Sequence, residues 1–300
     1  YGVDFSKEDG KLLYTREGAH SRPRILFHED ITGKEITSKL LAQIKTRKNI
    51  QIMEYTTMTD ILISKGACAG IEAETSDHKK IYIHADQTIF ASGGIGGRYK
   101  HSTNFPHLTG DAIDIAKKHG IRLEHLDYVQ IHPTTLYSKK PGRRFLISES
   151  VRGEGALLYD KNGNRFIDEL LPRDVVTKAI QEQMKKDGTD HVWLSLEKIP
   201  KEIILSHFPN IYQHCLEEGY DATKEWIPVV PAQHYFMGGI WVDSDSHTSM
   251  PNLYAVGETS CNGVHGKNRL ASNSLLESLV FAKRAARKIV SEKQMNKATA

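Results

Sequence analysis

Residues 87–97, Gln-Thr-Ile-Phe-Ala-Ser-Gly-Gly-Ile-Gly-Gly, predict a short apolar strand that runs into a glycine-rich turn. Residues 252–258, Asn-Leu-Tyr-Ala-Val-Gly-Glu, repeat the pattern and end on an acid. In α/β folds, ligands bind beyond the carboxyl ends of strands, where glycines let a ligand approach the backbone. The two stretches therefore predict an α/β (α+β) chain with a ligand site at its strand ends. For residues 93–97 alone, a plain turn is an equally good interpretation.

The style of the sequence changes twice along the chain. Strand patterns with glycine turns occupy both ends, whereas residues 122–237 mix polar segments with helices, such as a helix over residues 173–186. The middle is therefore interpreted as an insertion into a discontinuous first domain, which gives segments 1–121, 122–237 and 238–300. Local patterns further predict a short strand at 50–53, a hairpin within 69–84, and a helix capped by Thr109.

Composition limits the class of protein. The 300 residues are 39% apolar and 26% charged with a net charge of +3, which is typical of a globular chain. There is no apolar stretch of the roughly 18 residues that a membrane span needs and no long basic block, so neither a membrane nor a nucleic acid is an expected partner. The three scattered cysteines favour a reducing compartment over a disulfide framework and offer no zinc site. We expect a cytoplasmic protein without a metal.

Five donor side chains stand in unusual contexts. His132 precedes a proline that forces an extended backbone, and His234 lies between turn residues just before a strand. Arg173 follows Pro172 at a helix start, where a cation is poorly placed unless it has a carboxylate partner or a functional role. With Ser148 and Arg269, these side chains would suit a small dicarboxylate if they converged. A salt bridge to Asp174 or to a distant acid is the simpler explanation for Arg173.

Six segments, taken together and in order, resemble the L-aspartate oxidases of the succinate dehydrogenase and fumarate reductase flavoprotein superfamily. The resemblance spans nearly the whole chain. The segments are Thr15-Arg-Glu-Gly-Ala-His-Ser-Arg-Pro-Arg24, His132-Pro-Thr-Thr-Leu-Tyr, Glu149-Ser-Val-Arg-Gly-Glu-Gly-Ala, Pro172-Arg-Asp-Val-Val, Pro231-Ala-Gln-His-Tyr-Phe-Met-Gly-Gly and His265-Gly-Lys-Asn-Arg-Leu-Ala-Ser-Asn-Ser-Leu-Leu-Glu.

The resemblance implies an FAD-binding Rossmann-like domain formed by segments 1–121 and 238–300, with an inserted α+β capping (substrate) domain at 122–237. No Gly-x-Gly-x-x-Gly fingerprint occurs in the sequence. The chain is therefore expected to be an internal fragment without the family's N-terminal dinucleotide-binding unit and its C-terminal helical domain. FAD binding by the fragment alone is then expected to be weak or absent.

The resemblance also implies roles for individual residues. Arg173 is implied to donate or accept the proton at the reacting Cα, and Glu17 to orient the substrate amino group. The implied ligands of one carboxylate are His132 and Ser148, with Glu149 adjacent, and those of the other carboxylate are His234 and Arg269. The implied FAD contacts are Thr57, Met58, Asp111, Glu258, Ser274 and Leu275.

The implied reaction is oxidation of L-aspartate to iminoaspartate, with electrons passed to oxygen or fumarate, as the first step of de novo NAD (pyridine nucleotide) biosynthesis through quinolinate. A functional link to quinolinate synthase follows from this. Two alternatives remain open: a fumarate reductase or succinate dehydrogenase flavoprotein, and a truncated chain that is inactive without its N-terminal FAD-binding unit. The context of Glu17 favours the oxidase.

Overall fold

The alternating and helical patterns of the sequence form strands and helices throughout residues 1–17 and 20–298, which the computed structural model describes. The helices are α1 (Thr32–Lys45), α2 (Asp111–Lys118), α3 (Glu149–Gly153), α4 (Arg173–Asp187), α5 (Lys201–His207), α6 (Pro209–Glu217) and α7 (Asn273–Ala298). The strands are β1 (Lys7–Glu8), β2 (Lys11–Leu12), β3 (Tyr14–Thr15), β4 (Ile25–Leu26), β5 (Thr57–Ser64), β6 (Ala67–Glu74), β7 (Lys80–His84), β8 (Thr88–Phe90), β9 (Leu123–Glu124), β10 (Val129–Leu136), β11 (Leu157–Tyr159), β12 (Val192–Ser195), β13 (Ile227–Phe236), β14 (Gly239–Trp241), β15 (Leu253–Ala255) and β16 (Ser260–Cys261).

The first of two units consists of residues 1–51, 100–105 and 131–234. Its main sheet has the strand order β10-β13-β12-β11, in which β11 and β12, and β12 and β13, pair antiparallel. The apolar side chains of the sheet pack with those of α4, α5 and α6 in a core that includes Leu194 and Ile227, both 0% exposed. This buried sheet fixes the directions of the side chains at its strand ends.

The second unit consists of residues 52–99, 106–130 and 235–300. It contains the antiparallel sheet β5-β6-β7 and the parallel pair β8 and β15. The predicted hairpin is confirmed, since β6 and β7 pair with Ile71 opposite Ile83. A second core packs α2 against apolar residues of β5, β8, β14 and β15. Parallel pairing of β8 with β15 places the ends of the two glycine-rich stretches side by side.

Residues 1–51 pack with residues of the first unit that lie far away in the sequence. They belong to the first unit, where Asp30 accepts hydrogen bonds from Asn210 Nδ2 at 2.7 Å and from the backbone N–H of Ile211 at 2.8 Å. Contacts between residues so far apart in sequence carry no local signal. The division into an FAD-binding and a capping domain remains a prediction.

Local signals succeeded where a capping residue was decisive. Helix α4 begins after Pro172 and ends at Gly188, whose φ of 65° is the left-handed conformation of a helix C-cap.

The predicted cap of α2 was wrong, because Gly110 and not Thr109 occupies the N-cap, with a φ of 78°. The predicted strand at 50–53 was also wrong: Ile50 and Ile52 are each 47% exposed and these residues form no strand.

Within the described residues, no helix has both the length and the apolar character needed to cross a membrane.

Candidate active site

Two histidines of the first unit stand on neighbouring strands. His132 lies on β10 and His234 on β13, and their ring centroids are 5.2 Å apart in an edge-to-face arrangement. The proline after His132 keeps that strand extended, as the sequence indicated. The predicted proximity of these two histidines is therefore present in the fold.

His132 is held as a neutral imidazole. Its side chain is 0% exposed, and its Nδ1 accepts a hydrogen bond from the backbone N–H of Thr134 at 3.2 Å, which places the proton of a neutral ring on Nε2. Burial, and next the positive charge of Arg173, lower the pKa of His132 well below its ordinary value. Among the described residues its Nε2 has no hydrogen-bond partner, although it is buried. A buried ring nitrogen without a partner is a position where a ligand atom can bind.

Arg173 begins helix α4 and is paired with an acid far away in the sequence. Its Nε donates a hydrogen bond of 2.5 Å to Oε2 of Glu149, and both side chains are buried, with 7% and 5% exposure. This contact answers the electrostatic problem of a cation at a helix N-terminus. We therefore assign Glu149 a contact with Arg173 and not with a substrate carboxylate, because two carboxylates repel each other.

A second buried guanidinium, which sequence reasoning missed, lies beside this pair. Arg152 is 2% exposed, its Nη1 donates to the carbonyl oxygen of Glu169 at 2.5 Å, and its Nη2 is 3.7 Å from Glu149 Oε1. Burial lowers the pKa of Arg152 while the charges of Glu149 and Glu17 act in the opposite direction. Glu17 is therefore within electrostatic reach of this cluster. Gly18 and Ala19, which follow Glu17 in the quoted motif, lie outside the described residues.

The hydroxyl of Ser148 has a structural contact. It accepts a hydrogen bond from the backbone N–H of Ser150 at 3.3 Å and so caps the short helix α3 that carries Glu149 and Arg152. The cap orients the helix that presents both charged groups. Its predicted contact with a substrate carboxylate remains a prediction.

His234 has a partner that the sequence did not suggest. Its Nδ1 lies 2.8 Å from the hydroxyl of Thr103, and its carbonyl accepts a hydrogen bond from Asn104 Nδ2 at 3.3 Å. Both partners come from the short segment 100–105, which the fold brings to β13 through an isolated bridge between Ser102 and Gln233. Local patterns do not reveal such a partner 131 residues away in the sequence.

The second unit builds a different site at its parallel strand ends. The backbone N–H of Val256 bonds to the carbonyl of Phe90 at 2.9 Å, so that Gly94 and Glu258 follow adjacent strands. A Cβ on Gly94 would lie 2.4 Å from Oε1 of Glu258, so a larger residue at position 94 would displace the Glu258 carboxyl group. Gly97 is a plain packing residue, since its Cβ would meet the carbonyl of Pro106.

Glu258 carries the unusual electrostatics of this site. Its Oε1 accepts a hydrogen bond from the backbone N–H of Phe236 at 2.9 Å. Burial raises the pKa of Glu258 to about 7, and the Phe236 hydrogen bond and the charge of Arg269 oppose that rise. A half-buried carboxyl group beside a glycine turn can accept hydrogen bonds from the hydroxyls of a ligand.

The other predicted FAD contacts also fall in the second unit. Thr57 and Met58 open β5, Asp111 opens α2, and Ser274 and Leu275 lie in the first turn of α7. The hydroxyl of Thr109 donates to Asp111 at 2.6 Å. The structure places these residues at element starts, and their contact with FAD remains a prediction.

Arg269 lies in the second unit within a network of buried polar groups. Its guanidinium carbon is 4.6 Å from the ring centroid of Tyr235, and its side chain is 3% exposed. The hydroxyl of Tyr235 donates to Glu277 Oε2 at 2.5 Å. Nε2 of His265 is 2.9 Å from the same oxygen, and Asn262 Nδ2 donates to Oε1 at 2.6 Å. Sequence reasoning missed Tyr235 and Glu277, which read as a strand residue and an ordinary helical acid.

The predicted site residues therefore divide between the units. The first unit brings together His132, His234, Arg173 and Glu149, with Ser148 at the helix cap and Glu17 in electrostatic range. The second unit holds Arg269 and the predicted FAD contacts.

Residues 1–275 match the family described as FAD binding domain. The chain therefore belongs to the FAD binding domain family, whose cofactor is FAD.

The curated proteins that are similar to this chain in sequence include L-aspartate oxidases. The chain is 54% identical over 289 residues to an L-aspartate oxidase of Clostridium perfringens, with 96% of this chain and 66% of that protein covered. It is 52% identical to an L-aspartate oxidase of Clostridium acetobutylicum, covering 96% and 67%. It also resembles an E. coli quinol fumarate reductase structure, with a TM-score of 0.87 and 32% identity over 96% of this chain and 53% of that one. The chain thus spans about two thirds of these curated relatives.

The residues present fit part of an FAD molecule. The Glu258 carboxyl, which fills the space beside Gly94, can accept hydrogen bonds from sugar-like hydroxyls. The first turn of α7, with Ser274 and Leu275, supplies backbone N–H groups that favour an electron-rich partner.

Proposed function

We propose that this chain carries the dicarboxylate-binding cluster and part of the FAD-binding region of a flavin-dependent L-aspartate oxidase. The observation that carries the proposal is the unpartnered, buried Nε2 of a neutral His132, set beside Arg173 and His234. Donors and cations without bulk water bind a carboxylate strongly. The similarity to L-aspartate oxidases supports the choice of an amino diacid as substrate.

The product is iminoaspartate, and bound FAD would supply the acceptor for the hydride from Cα and pass the electrons to oxygen or fumarate. His132 and Ser148 would bind one carboxylate, while His234 would bind the other. Such clamps fix the substrate so that only one C–H bond is correctly oriented, which lowers the entropic cost of reaction.

Arg173 would stand beside the reacting Cα as a guanidinium, which can donate a proton but cannot accept one. An ammonium nitrogen has no lone pair to assist the departure of hydride, so the amine must first lose its proton, to the carboxylate of Glu17 or to solvent. Glu149, which accepts the Arg173 Nε hydrogen bond, balances the arginine charge and holds it in one orientation. Glu17 would orient the amino group, since a carboxylate attracts an ammonium ion.

A fumarate reductase or succinate dehydrogenase activity is the second candidate, favoured by the fold match to E. coli quinol fumarate reductase. The complete protein, assayed with L-aspartate and with succinate as electron donors, separates the two. We expect turnover with L-aspartate that falls sharply in Glu17→Gln. Turnover with succinate alone would select the second candidate.

A polypeptide of these 300 residues by itself is expected to bind FAD weakly and to be inactive, since its sequence has no Gly-x-Gly-x-x-Gly turn for the diphosphate. Gel filtration after incubation with FAD tests this, with the complete protein as control. A yellow 300-residue chain that keeps its flavin would contradict the expectation.

The proposed product also places the reaction in a sequence. Iminoaspartate hydrolyses readily in water, so we propose consumption by a quinolinate synthase in NAD biosynthesis, in the cytoplasm. Adding purified quinolinate synthase together with its three-carbon co-substrate, dihydroxyacetone phosphate, to the assay should convert L-aspartate to quinolinate. Failure of that coupled reaction while L-aspartate is still oxidised would reject this link alone.

A further inference from the structure

A cavity of about 400 Å³ lies in the first unit, away from the residues assigned above. Its volume is within the range of small-molecule sites. None of its lining residues belongs to the group formed by His132, Glu149, Arg152, Arg173 and His234. They are Lys100, His101, Tyr137, Ser138, Lys139, Arg144, Gln181, Met184, Asp190, Val230 and Pro231.

The charged group at the base of this cavity is a buried arginine. Arg144 is 7% exposed, its Nη1 donates to the carbonyl oxygen of Lys140 at 2.8 Å, and its Nε donates to His101 Nδ1 at 3.1 Å. Among the described residues, no carboxylate oxygen lies within 4.0 Å of its guanidinium nitrogens. A buried guanidinium that makes only neutral hydrogen bonds is costly, and an anion in the cavity would remove that cost.

The nearest acidic groups are engaged elsewhere. Glu218 receives hydrogen bonds from Lys140 Nζ at 2.7 Å and from Ser138 Oγ at 3.0 Å, and it does not line the cavity. Asp190 does line it, and Tyr137 hydroxyl approaches Asp190 at 3.5 Å. Hydrogen bonds from Lys140 and Ser138, and also the charge of Arg144, lower the pKa of Glu218, so this acid interacts with Arg144 through space, but no described carboxylate contacts the guanidinium directly.

The charge of the lining is positive. Lys100, Lys139 and Arg144 are opposed by Asp190 alone, which leaves two positive charges in excess. Burial and the charge of Arg144 lower the pKa of His101, so this ring adds no charge at neutral pH. Because its Nδ1 accepts from Arg144, the proton of the neutral ring is on Nε2, which leaves one further donor. An excess of two charges matches a phosphate group, which carries about 1.5 to 2 negative charges at pH 7.

The wall of the cavity is rigid enough to hold a ligand. Val230 and Pro231 are buried residues of β13, the strand between β10 and β12 in the main sheet. We infer that this cavity is a binding site for a phosphate group, free or as a monoester, that bonds to Arg144 with Lys100 and Lys139 at the rim.

The test is isothermal titration calorimetry of the complete protein with inorganic phosphate, and separately with glycerol 3-phosphate. We expect saturable binding, tighter for whichever of the two is the natural form. Lys139→Gln should weaken binding about threefold, and Arg144→Gln at least tenfold. Lys140→Gln is the matched control, since it removes the same charge from the next residue but bonds to Glu218 outside the cavity. It should change binding by less than about twofold.

Three results would overturn the inference. They are the absence of saturable binding, an equal loss in Lys139→Gln and Lys140→Gln, and full displacement of phosphate by L-aspartate. The last result would place the ion at the Arg173 cluster. If Arg144→Gln fails to fold, Lys100→Gln replaces it with the same expectation as Lys139→Gln. The titration requires no turnover, so its outcome is independent of the proposed oxidase activity.

Discussion

The two clusters of buried polar side chains differ in how fully their hydrogen bonds are satisfied. In the first unit, Nε2 of His132 is buried without a partner among the described residues. In the second, Glu277 accepts three close contacts, from Tyr235, His265 and Asn262. Burial raises the pKa of Glu277, but these bonds outweigh it and the pKa is lowered.

The difference distinguishes a cluster that can bind a ligand from a network that holds its own side chains in place. A buried polar atom without a partner is retained when a ligand completes it, whereas a saturated network gives rigidity to its neighbours. We therefore expect substitutions in the first cluster to weaken substrate binding more than they lower the free energy of unfolding. Substitutions in the second should affect stability and the position of Arg269.

Removing the central cation should have the largest effect. Arg173→Leu in the complete protein should lower kcat at least about 10³-fold, because general acid–base catalysis contributes about 10² to 10⁴. FAD should remain bound, as measured by absorbance after gel filtration. Lys178→Leu, on an exposed position of the same helix, is the control and should keep normal turnover. Turnover within tenfold of the unsubstituted enzyme in Arg173→Leu would remove this residue from the mechanism.

The saturated network should respond in thermal and urea unfolding. Glu277→Ala leaves Tyr235 and His265 without their acceptor, and the unfolding free energy should fall by about 2–4 kcal/mol. Glu292→Ala is the matched control. Glu292 lies on the same helix as Glu277 and accepts a hydrogen bond from the hydroxyl of Tyr254 at 3.0 Å, but its side chain is 35% exposed. It should cost less than about 1 kcal/mol. Equal losses in both variants would show that the buried network has no special stability.

Glu258 should make the protein less stable as pH rises. An unfolded glutamate titrates near 4.5 and this one near 7, so between those values the folded state binds the extra proton. Glu258→Gln keeps the acceptor for Phe236 and removes the titration. Its unfolding free energy, relative to the unsubstituted protein, should rise by roughly 1–2 kcal/mol between pH 4.5 and 7. A constant difference across that range would contradict a raised pKa.

His132 should give the opposite slope. Its folded pKa is well below 6.5, so below that pH the unfolded state binds a proton that the folded state does not. Stability is therefore lost as pH falls below about 6.5. His132→Gln should lose roughly 1 kcal/mol less than the unsubstituted protein between pH 7 and 5. Parallel losses in both proteins would mean that His132 is protonated in the fold.

The smallest effect is expected at Thr103. Thr103→Val removes the hydroxyl that lies 2.8 Å from Nδ1 of His234, while the volume is nearly unchanged. We expect kcat/KM for L-aspartate to fall about three- to tenfold, with a loss of about 1 kcal/mol in transition-state binding. An unchanged kcat/KM would show that His234 needs no such partner.

Local sequence signals predicted the positions of the site but not its partners. Pro172 and Gly188 determine where α4 begins and ends, and the placement of Arg173 at a helix start indicated a carboxylate partner, either Asp174 or a distant acid, or a functional role. That the acid is Glu149, 24 residues upstream, depends on the packing of α3 against α4. Such pairing follows from tertiary contacts, for which one sequence holds no periodic pattern.

The same limit explains the buried charges that were missed. Arg144 stands in Lys-Lys-Pro-Gly-Arg-Arg, residues 139–144, which reads as an exposed basic turn, yet its side chain is 7% exposed. Glu277 lies in a helix whose leucines are exposed, so the sequence showed no apolar face that would identify the buried side of the helix. In contrast, the glycine cluster correctly indicated a close approach to the backbone, because a Cβ on Gly94 would lie 2.4 Å from Oε1 of Glu258.

The most direct measurement is ¹⁵N–¹H NMR of the His132 ring while L-aspartate is added to the complete protein. If the first cluster binds the dicarboxylate, the Nε2 resonance of His132 should shift in a saturable way, and the shift should vanish in Arg173→Leu. A His132 resonance that stays unmoved while L-aspartate binds elsewhere would show that these imidazoles and guanidiniums do not form the substrate site.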